Sequence, residues 1–578
     1  MKRRLSSVIL VAVIFIIVLD TGKNLERYWV SAGTAGTQRM VSAAEMQTAT
    51  ATLNATATVS STMTPSPEAT STITPTGTAV ATPTVSPTLT VTVTPTMTAT
   101  PPPGAIIIPP HSYKSAPADL PSFYVEQLAG EVGDGYLFVS MFNRQSGRKS
   151  YHLILDNQGD LVYFQPLDDF ASSTDFKIQP NGLLTYFSPR DGDVTYTVMN
   201  NNYQIVREVR ALDDPETGKV YTIDNHDLQL LDNGHALYLI HDKRIIDLSA
   251  IVPGGSPETE VIGCVIQEVD SDNNLIFQWR SWDYIGLPDT YAPFDMSPLL
   301  YTHCNAIEMD HDGNLLLSSR NLNEITKIDR ETGEIIWRMG GRQNEFEFLN
   351  DDGFTVQHDA RRLENGHITL YDNGVVATGV DSRGVEYEVD EANKTVEKVA
   401  EFHNNPQTIG GYMGNVQRLD NGNTLIGWGS SSKPVFTEFN QSGEKVLEFT
   451  SAENMVSYRA FRFPWKGFPF WAPSLAAFNE GNTVQFFFSW NGSTETASYY
   501  VVGGRSPGEM STLAWVAKTG FETNIAREIP ESGLWYFRVR PISEEGVIGP
   551  PSNMVRVLVG GRPAYLPLIA GGQLTAES

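Results

Sequence analysis

The stretch THCNAIEMDHDGNLLLSSR, residues 302–320, decides the fold. Apolar and polar residues alternate on both sides of an Asp-Gly pair. Such pairs mark tight hairpins, because a type I′ turn needs positive φ at its central residues. The same hairpin recurs on either side. STDFKIQPNGLLTYFSP (173–189) and NHDLQLLDNGHALYL (225–239) precede it, and QHDARRLENGHITLYDNG (357–374) and GNVQRLDNGNTLIGWG (414–429) follow. GDGYLFVSMF (133–142) is a degenerate sixth copy. A second hairpin type follows each: LDNQGDLVYF (155–164), VMNNNYQIVREV (198–209), EVDSDNNLIFQW (268–279), KIDRETGEIIWRM (327–339), YEVDEANKTVEKV (387–399) and EFNQSGEKVLEF (438–449). The paired hairpins repeat about every 53 residues, and periods of that order mark repeat architectures. The expectation is all-β: a six-bladed β-propeller over residues 118–466, Asn-Gly hairpins innermost, with radial closure hiding most strand edges. The third unit is longer than the rest, with additions around 243–261 and 280–301.

Outward from the repeats, the pattern changes after Pro473 to a small β-sandwich over 473–560. Its segment LWYFRVRPISEEGVIGPPSN (534–553) resembles the F–G region of fibronectin type III domains. Trp490 and Tyr536 take core positions in that reading, with Tyr536 as a tyrosine corner. The tail 561–578 receives no function. At the other end, Lys2, Arg3 and Arg4 precede an apolar run from Val8 to Leu19, the order of a secretory signal. Residues 1–30 therefore read as a signal peptide or signal anchor. Residues 46–110, mostly Thr, Ala, Pro, Ser and Val, read as a disordered linker. An exported protein follows from these two segments, extracellular, on the cell surface or periplasmic, and tethered if the N-terminal segment is retained.

Composition excludes several classes. With 67 acidic and 41 basic residues the net charge is −26, which argues against nucleic acid or anionic lipid as partners. Two cysteines rule out a disulfide-built scaffold and a multi-cysteine metal cluster. No P-loop or dinucleotide fingerprint is present, so no nucleotide cradle and no cofactor are expected. GRSPG (504–508) matches G-x-S-x-G in letters, but it lies in the sandwich and lacks the strand–turn–helix context.

The hairpin turns also give a register. His226 lies eight residues before Gly234 and His358 eight before Gly366, while His303 lies ten before Gly313 in a turn two residues longer. Thr174 and Gly414, beside Asn415, hold the matching places in two further units. His241, Arg320 and Asn373 each lie seven residues after their turn glycine. They end second strands at the face where the three histidines begin first strands. Three imidazoles, the Arg320 guanidinium and the Asn305 amide are thereby aimed at one small volume near the axis.

Each histidine could merely cap a strand. A three-histidine metal site fits imidazole chemistry, but a fixed guanidinium raises the cost of a divalent cation. DHDGN (310–314) and DSDNN (270–274) lack the remaining ligands of a calcium loop and read as plain turns. An anion fits better: arginine presents a planar fork for oxyanions, and imidazole near neutrality serves as nucleophile, acid or base. The chemistry indicated is transfer or cleavage at sulfuryl or phosphoryl.

HDLQLLDNG, HCNAIEMDHDGNLLLSSR, IIWRMGG, QHDARRLENGHITLYDNG and GNVQRLDNGNTLIGWG, in this order, resemble the PAPS-independent, bacterial-type arylsulfotransferases over roughly residues 120–465. The resemblance implies a six-bladed propeller. It also implies transfer of a sulfuryl group from an aryl sulfate to a phenol through a sulfohistidine. By motif order it makes His358 the nucleophile and places His226, His303, Asn305 and Arg320 around the sulfuryl oxygens. Asn415 is taken as a further substrate contact. Trp282, Tyr284 and Tyr291, with Phe294 and Tyr301, lie in the insertion 281–301, which ends just before His303, and offer stacking surfaces for a phenolic ring. A packed connection between units is the competing reading of that insertion. The partners implied are a small aryl sulfate donor and a phenolic acceptor. Two other functions stay open: a non-catalytic surface adhesin on the same scaffold, and a sulfatase or phosphodiesterase with water as acceptor. The stalk before the propeller and the module after it depart from the family's periplasmic members. Cys304 could pair with Cys264 in an exported protein.

Overall fold

The computed structural model describes residues 27–31, 38–42 and 105–560, apart from 143–148, 168–173, 191–192 and 375–379. The signal-like run at 8–19, the Thr/Pro-rich linker up to residue 104 and the tail 561–578 lie outside the described residues. The chain divides into two compact units, Met1–Pro101 and Pro102–Ser578. In the first, Arg27–Ser31 pairs antiparallel with Gln38–Ser42. Among the described residues, no helix is long and apolar enough to cross a membrane.

The second unit is all-β and propeller-like. Six sheets of four to six strands succeed one another, followed by a three-stranded and a four-stranded sheet. Within the six, the Asn-Gly and Asp-Gly hairpins supply the first two strands of a sheet and the second hairpin type the next two. The fourth sheet shows the plan in its simplest form: Cys304–Met309, Leu315–Ser319, Glu324–Ile328 and Ile335–Gly340, all antiparallel. Gly313 at its first turn has φ +83° but Asp312 has no positive φ, so the hairpin closes through Gly313 N to Asp310 O with glycine alone left-handed, in place of the type I′ turn expected.

The first sheet departs from the expected plan. Tyr136–Phe142 is not its innermost strand; Val456–Phe463, from the far end of the repeats, pairs inside it. The sixth sheet in turn borrows Phe123–Gln127 from the start of the repeats as an added outer strand on Lys445–Ser451. Beginning and end of the repeat region are thus hydrogen-bonded together twice. This pairing explains why 133–142 looked degenerate: it is a second strand without its own inner partner.

Side chains lace neighbouring sheets where backbone pairing stops. Gln179 bonds Leu228 O and Leu230 N of the third sheet. Asn415 takes Ala460 N (2.9 Å) and gives to Ala460 O (2.7 Å), and Gln417 does the same at Arg462. An amide has a donor and an acceptor in one plane, so it can substitute for a strand's peptide group and satisfy buried backbone.

The final two sheets face each other around a core that includes Val484, Phe486, Phe488, Val501, Phe537 and Val539. Strand alternation puts Phe537 and Val539 inward. Tyr536 is consequently on the outward face, opposite Arg556. That corrects its assignment to the core: the period of two allows only one of Tyr536 and Phe537 inside. Trp490 is half-buried and donates Nε1 to Trp471 O. The loop at 491–492 covers the outer edge of the first sheet, through Asn491 to Phe164 N and O and Gly492 N to Val162 O.

Candidate active site

Four inner strands carry a β-bulge near the end where the histidines sit: between Ile223 and Leu228, Cys304 and Ala306, His358 and Arg361, and Ser457 and Ala460. His303 (φ 48°), Asp359 (φ 55°) and Asp175 (φ 56°) hold left-handed backbone, which costs a non-glycine residue about 1–2 kcal/mol. A regular strand would send consecutive residues to opposite faces. The bulge re-aims one of them, so that a histidine and the aspartate after it both turn towards the axis.

Two polar layers result. The upper layer contains the residues in the histidine register. The His226 and His303 rings lie 5.0 Å apart, those of His303 and His358 6.2 Å, and those of His226 and His241 6.2 Å. Tyr458, from the closing strand, joins them: its ring lies 6.2 Å from His226 and its hydroxyl donates to His226 O (3.0 Å).

His358 is held in one tautomer. Its Nδ1 faces two acceptors, Asn373 Oδ1 (2.7 Å) and Val356 O (3.2 Å), so Nδ1 carries the proton. Its Nε2 accepts from Met413 N–H at 3.3 Å and therefore bears the lone pair. Asn373 cannot flip, because its Nδ2 donates to Gly410 O and Met413 O. Burial and then the charge of Arg320 push the His358 pKa well below the ordinary histidine value, outweighing the Asn373 bond. His303 is pushed down by burial, then by His226 and Arg320. Both imidazoles are neutral at pH 7.

Arg320 starts the turn after the second strand of the fourth sheet. Its Nη1 donates to Asn321 Oδ1 (2.8 Å), its Nε is buried without a partner, and it forms no ion pair among the described residues. Burial lowers its pKa, yet arginine stays charged. An unpaired guanidinium beside neutral imidazoles is a site short of one anion.

Asp224 backs His226. Its carboxylate accepts from His226 Nδ1 (2.8 Å) and lies 3.3 Å from His241 Nε2. Burial would raise the Asp224 pKa, but the two imidazoles outweigh it. The donor atoms of Asp224, His226 and His241 lie within 4.8 Å of one another, the one grouping among the described residues that could bind a metal. Its carboxylate is already engaged by imidazole nitrogen, and the fixed charge of Arg320 nearby disfavours a cation.

One step further into the strands lies a charged layer. Arg459 reaches Asp175 (2.8 Å), Asp227 (3.4 Å), Asn305 O (2.8 Å) and Asp359 (3.3 Å). Those partners belong to four other sheets, so one guanidinium ties five sheets together. Lys177 pairs with Asp175 and Asp227, and Arg361 with Asp227, Asp359 and Glu308. Burial would raise the Asp227 pKa, but Arg361, Lys177 and Arg459 hold it well below the usual carboxylate range.

The remaining site expectations fall as follows. Asn305 is buried with both ends of its amide on the backbone flanking His358: Nδ2 to Gln357 O (2.8 Å) and Oδ1 from Asp359 N (3.3 Å). Asn415 is spent on Ala460. Trp282 packs on Tyr301 (4.7 Å) and Tyr284 stacks on Trp279 (5.6 Å). Tyr291 is exposed and lies against Arg342 (4.3 Å). None of these three rings touches the histidine cluster. The insertion instead meets the site through backbone: Asn321 donates to Leu300 O, and Tyr291 N to Asn321 O, which fixes the residue that holds Arg320. Cys264 and Cys304 are buried free thiols.

Residues 181–452 match the arylsulfotransferase (ASST) family. Over that span the chain is similar to the family. The matched span contains the whole histidine register, from His226 to His358, together with Arg320. No curated protein matches the sequence. Among solved structures, a protein of unknown function from Bacteroides caccae is 12% identical, TM-score 0.36, over 56% of this chain and 97% of its own. A catalytically inactive variant of virginiamycin B lyase from Staphylococcus aureus is 9% identical, TM-score 0.28, over 63% and 95%. A streptogramin B lyase is 13% identical, TM-score 0.26, over 57% and 98%.

Proposed function

We propose that this chain, similar to the arylsulfotransferase family over residues 181–452, moves a sulfuryl group from an aryl sulfate to a phenolic acceptor through a sulfated His358. The six sheets are in this reading six blades closed around the histidine axis, and the C-terminal sandwich is a fibronectin type III-like module. The observation that carries the function is the unpaired Arg320 guanidinium beside a neutral His358 whose lone pair sits on Nε2. In the first step Nε2 attacks sulfur, the N–S bond forms, and the S–O bond to the aryl group breaks. His226, braced by Asp224, gives a proton to the departing phenolate. In the second step the acceptor phenol returns a proton to His226, its oxygen bonds sulfur, and the N–S bond breaks. Arg320 and His303 balance charge on the sulfuryl oxygens, a role in which preorganised donors are worth most. Neutral imidazole is a competent nucleophile at pH 7, and two steps replace one difficult displacement. Asn305 and Asn373 fix the strand and ring of His358. The chain acts as an exported protein, on small molecules, without a cofactor.

The test is single turnover with a chromogenic aryl sulfate. A burst of phenol, and a protein sulfated at His358 that passes the group to added phenol, are expected. Release of inorganic sulfate with no transfer would make the protein a hydrolase, and no turnover of any aryl sulfate would leave the adhesin reading.

A further inference from the structure

The C-terminal sandwich exposes a face that its own packing does not use. Its four-stranded sheet comprises Glu509–Ala517, Thr496–Ser506, Gly533–Ser543 and Val555–Val559, in that order across the sheet. Register fixes which residues share a row on the outward side. Trp515 stands opposite Tyr500, and Tyr500 opposite Arg540. Val502 stands opposite Arg538, and Tyr536 opposite Arg556. Trp515 is 64% exposed, and its ring lies 5.1 Å from that of Tyr500.

The charge of this face is opposite to that of the chain. The protein carries 67 acidic and 41 basic residues, yet these four strands hold Arg505, Arg538, Arg540 and Arg556 against a single acid, Glu509, at the end of one strand. Arg538, Arg540 and Arg556 form no ion pair among the described residues, and the Arg538 Nε is buried without a partner. Surface arginines in an acidic protein normally find carboxylates. Here three in adjacent rows have none, next to an exposed indole that costs solvation and gains nothing in the fold.

We infer that this face binds a carboxylated polysaccharide. Aromatic rings standing on a flat sheet give stacking surfaces for the apolar faces of sugar rings. The guanidinium fork matches a carboxylate with two parallel hydrogen bonds. The platform and its row partner Arg540 are two strand spacings apart, about 10 Å, so a ring stacked on Trp515 leaves a uronate further along the chain within reach of Arg540 and Arg538. The sandwich thus holds the protein to an acidic glycan matrix, a role independent of what the histidine site does.

The experiment is affinity electrophoresis and titration calorimetry of the full chain with alginate, with hydroxyethylcellulose as a neutral polymer and dextran sulfate as a sulfated one. Alginate should retard the protein and the neutral polymer should not. Trp515→Ala and Arg540→Gln should each weaken alginate binding about tenfold or more, as truncated aromatic and arginine anchors do. Both side chains lie outside the core, so the thermal midpoint stays unchanged and reports folding; Arg538→Gln is the second charge variant. Equal retardation by the neutral polymer, unaltered binding in the variants, or a clear preference for dextran sulfate would each overturn the proposal. So would sedimentation showing a dimer that Trp515→Ala breaks, which would assign the face to a second copy of this chain.

Discussion

Replacing Arg320 by Met should destroy activity and leave the fold as stable as before, or more so. Arg320 contributes one charged hydrogen bond to the fold, Nη1 to Asn321 Oδ1, worth about 1.5–3 kcal/mol. Against it stands the cost of holding an unpaired cation in a mostly buried place, several kcal/mol in comparable settings. Asn321 keeps its own anchor to Leu300 O, so the turn survives. The two terms roughly cancel, and the thermal midpoint should rise or hold, each kcal/mol moving it by about 2–4 °C in a large domain. Loss of one oxyanion donor should cut turnover about 100–1000-fold, about 2.7–4 kcal/mol. The assay is phenol release from a chromogenic aryl sulfate, alongside thermal melts with and without ligand. A non-transferable aryl sulfate analogue at about 100 times its Kd should stabilise the wild type by about 2.7 kcal/mol and Arg320→Met hardly at all. Arg320→Lys keeps charge without the fork and should recover little rate. A fall in midpoint of more than about 12 °C in Arg320→Met, beyond one lost hydrogen bond, would show the guanidinium to be structural, and normal turnover would remove it from the reaction.

Four further outcomes test the remaining parts. Wild-type protein with donor alone should gain about 80 Da, a sulfuryl adduct expected of nucleophilic catalysis; His358→Asn should show neither adduct nor burst, and an adduct mapped to His226 or His303 would reassign the nucleophile. Asp224→Asn should lower kcat about a hundredfold, as loss of acid–base assistance does, with KM little changed; an effect on KM alone would deny Asp224 a part in proton transfer. Arg459→Met leaves buried Asp175, Asp227 and Asp359, with Glu308, to two cations, Lys177 and Arg361, and should cost about 3–5 kcal/mol in denaturant unfolding; a neutral result would mean the charged layer does not bind the sheets together. For pH, His303 and His358 have lowered pKa values and His152 is pushed down to about 3 by burial. Below about pH 6.5 the unfolded chain takes up protons that the folded chain refuses, so stability should fall as pH drops from there, and the acid limb of kcat should lie below 6.5; a limb above 7 would contradict a neutral nucleophile.

How much of this was legible depended on whether turn spacing alone could carry it. Counting from turn glycines pairs His226 with His241 and His358 with Asn373, and in the structure each pair meets, the second at 2.7 Å. Hairpin geometry guarantees that result whatever the rest of the sheet does. Three things were not legible. The bulges are one: nothing in HDLQ or HDAR says that the residue after the histidine will also turn to the axis, in HDAR at positive φ. The second is Arg459, which reads as an ordinary residue of a late strand until the closing pairing of Val456–Phe463 with Tyr136–Phe142 brings it to the centre. The third is what Asn305 and Asn415 touch. Register puts both at strand starts, but an amide there serves a neighbouring backbone as readily as a ligand. The aromatic insertion shows the same ambiguity: the sequence lists the rings, while packing against Trp279 and Tyr301 decides where they go.

The two polar layers explain why the site can be both rigid and anion-seeking. In the lower layer Lys177, Arg361 and Arg459 face Asp175, Asp227, Asp359 and Glu308, and every cation has at least two carboxylates. Such a layer offers no free positive charge to a ligand and holds five sheets in one arrangement. One residue up, the aspartates give way to imidazoles, and Arg320 forms no ion pair among the described residues. The change of residue type between successive positions of one repeated strand, from histidine to aspartate, therefore separates scaffold from chemistry within one step of the chain. Moving that boundary should damage both at once. Asp227→His would add an imidazole without a use and strip Lys177 and Arg361 of a shared carboxylate. Its cost should appear as lost stability of about 3–5 kcal/mol, whereas His226→Asn should largely spare stability and lose activity, because an amide can still donate to Asp224 but has no proton to give the leaving group. If the two substitutions proved alike in stability, the division of labour between the layers would be wrong.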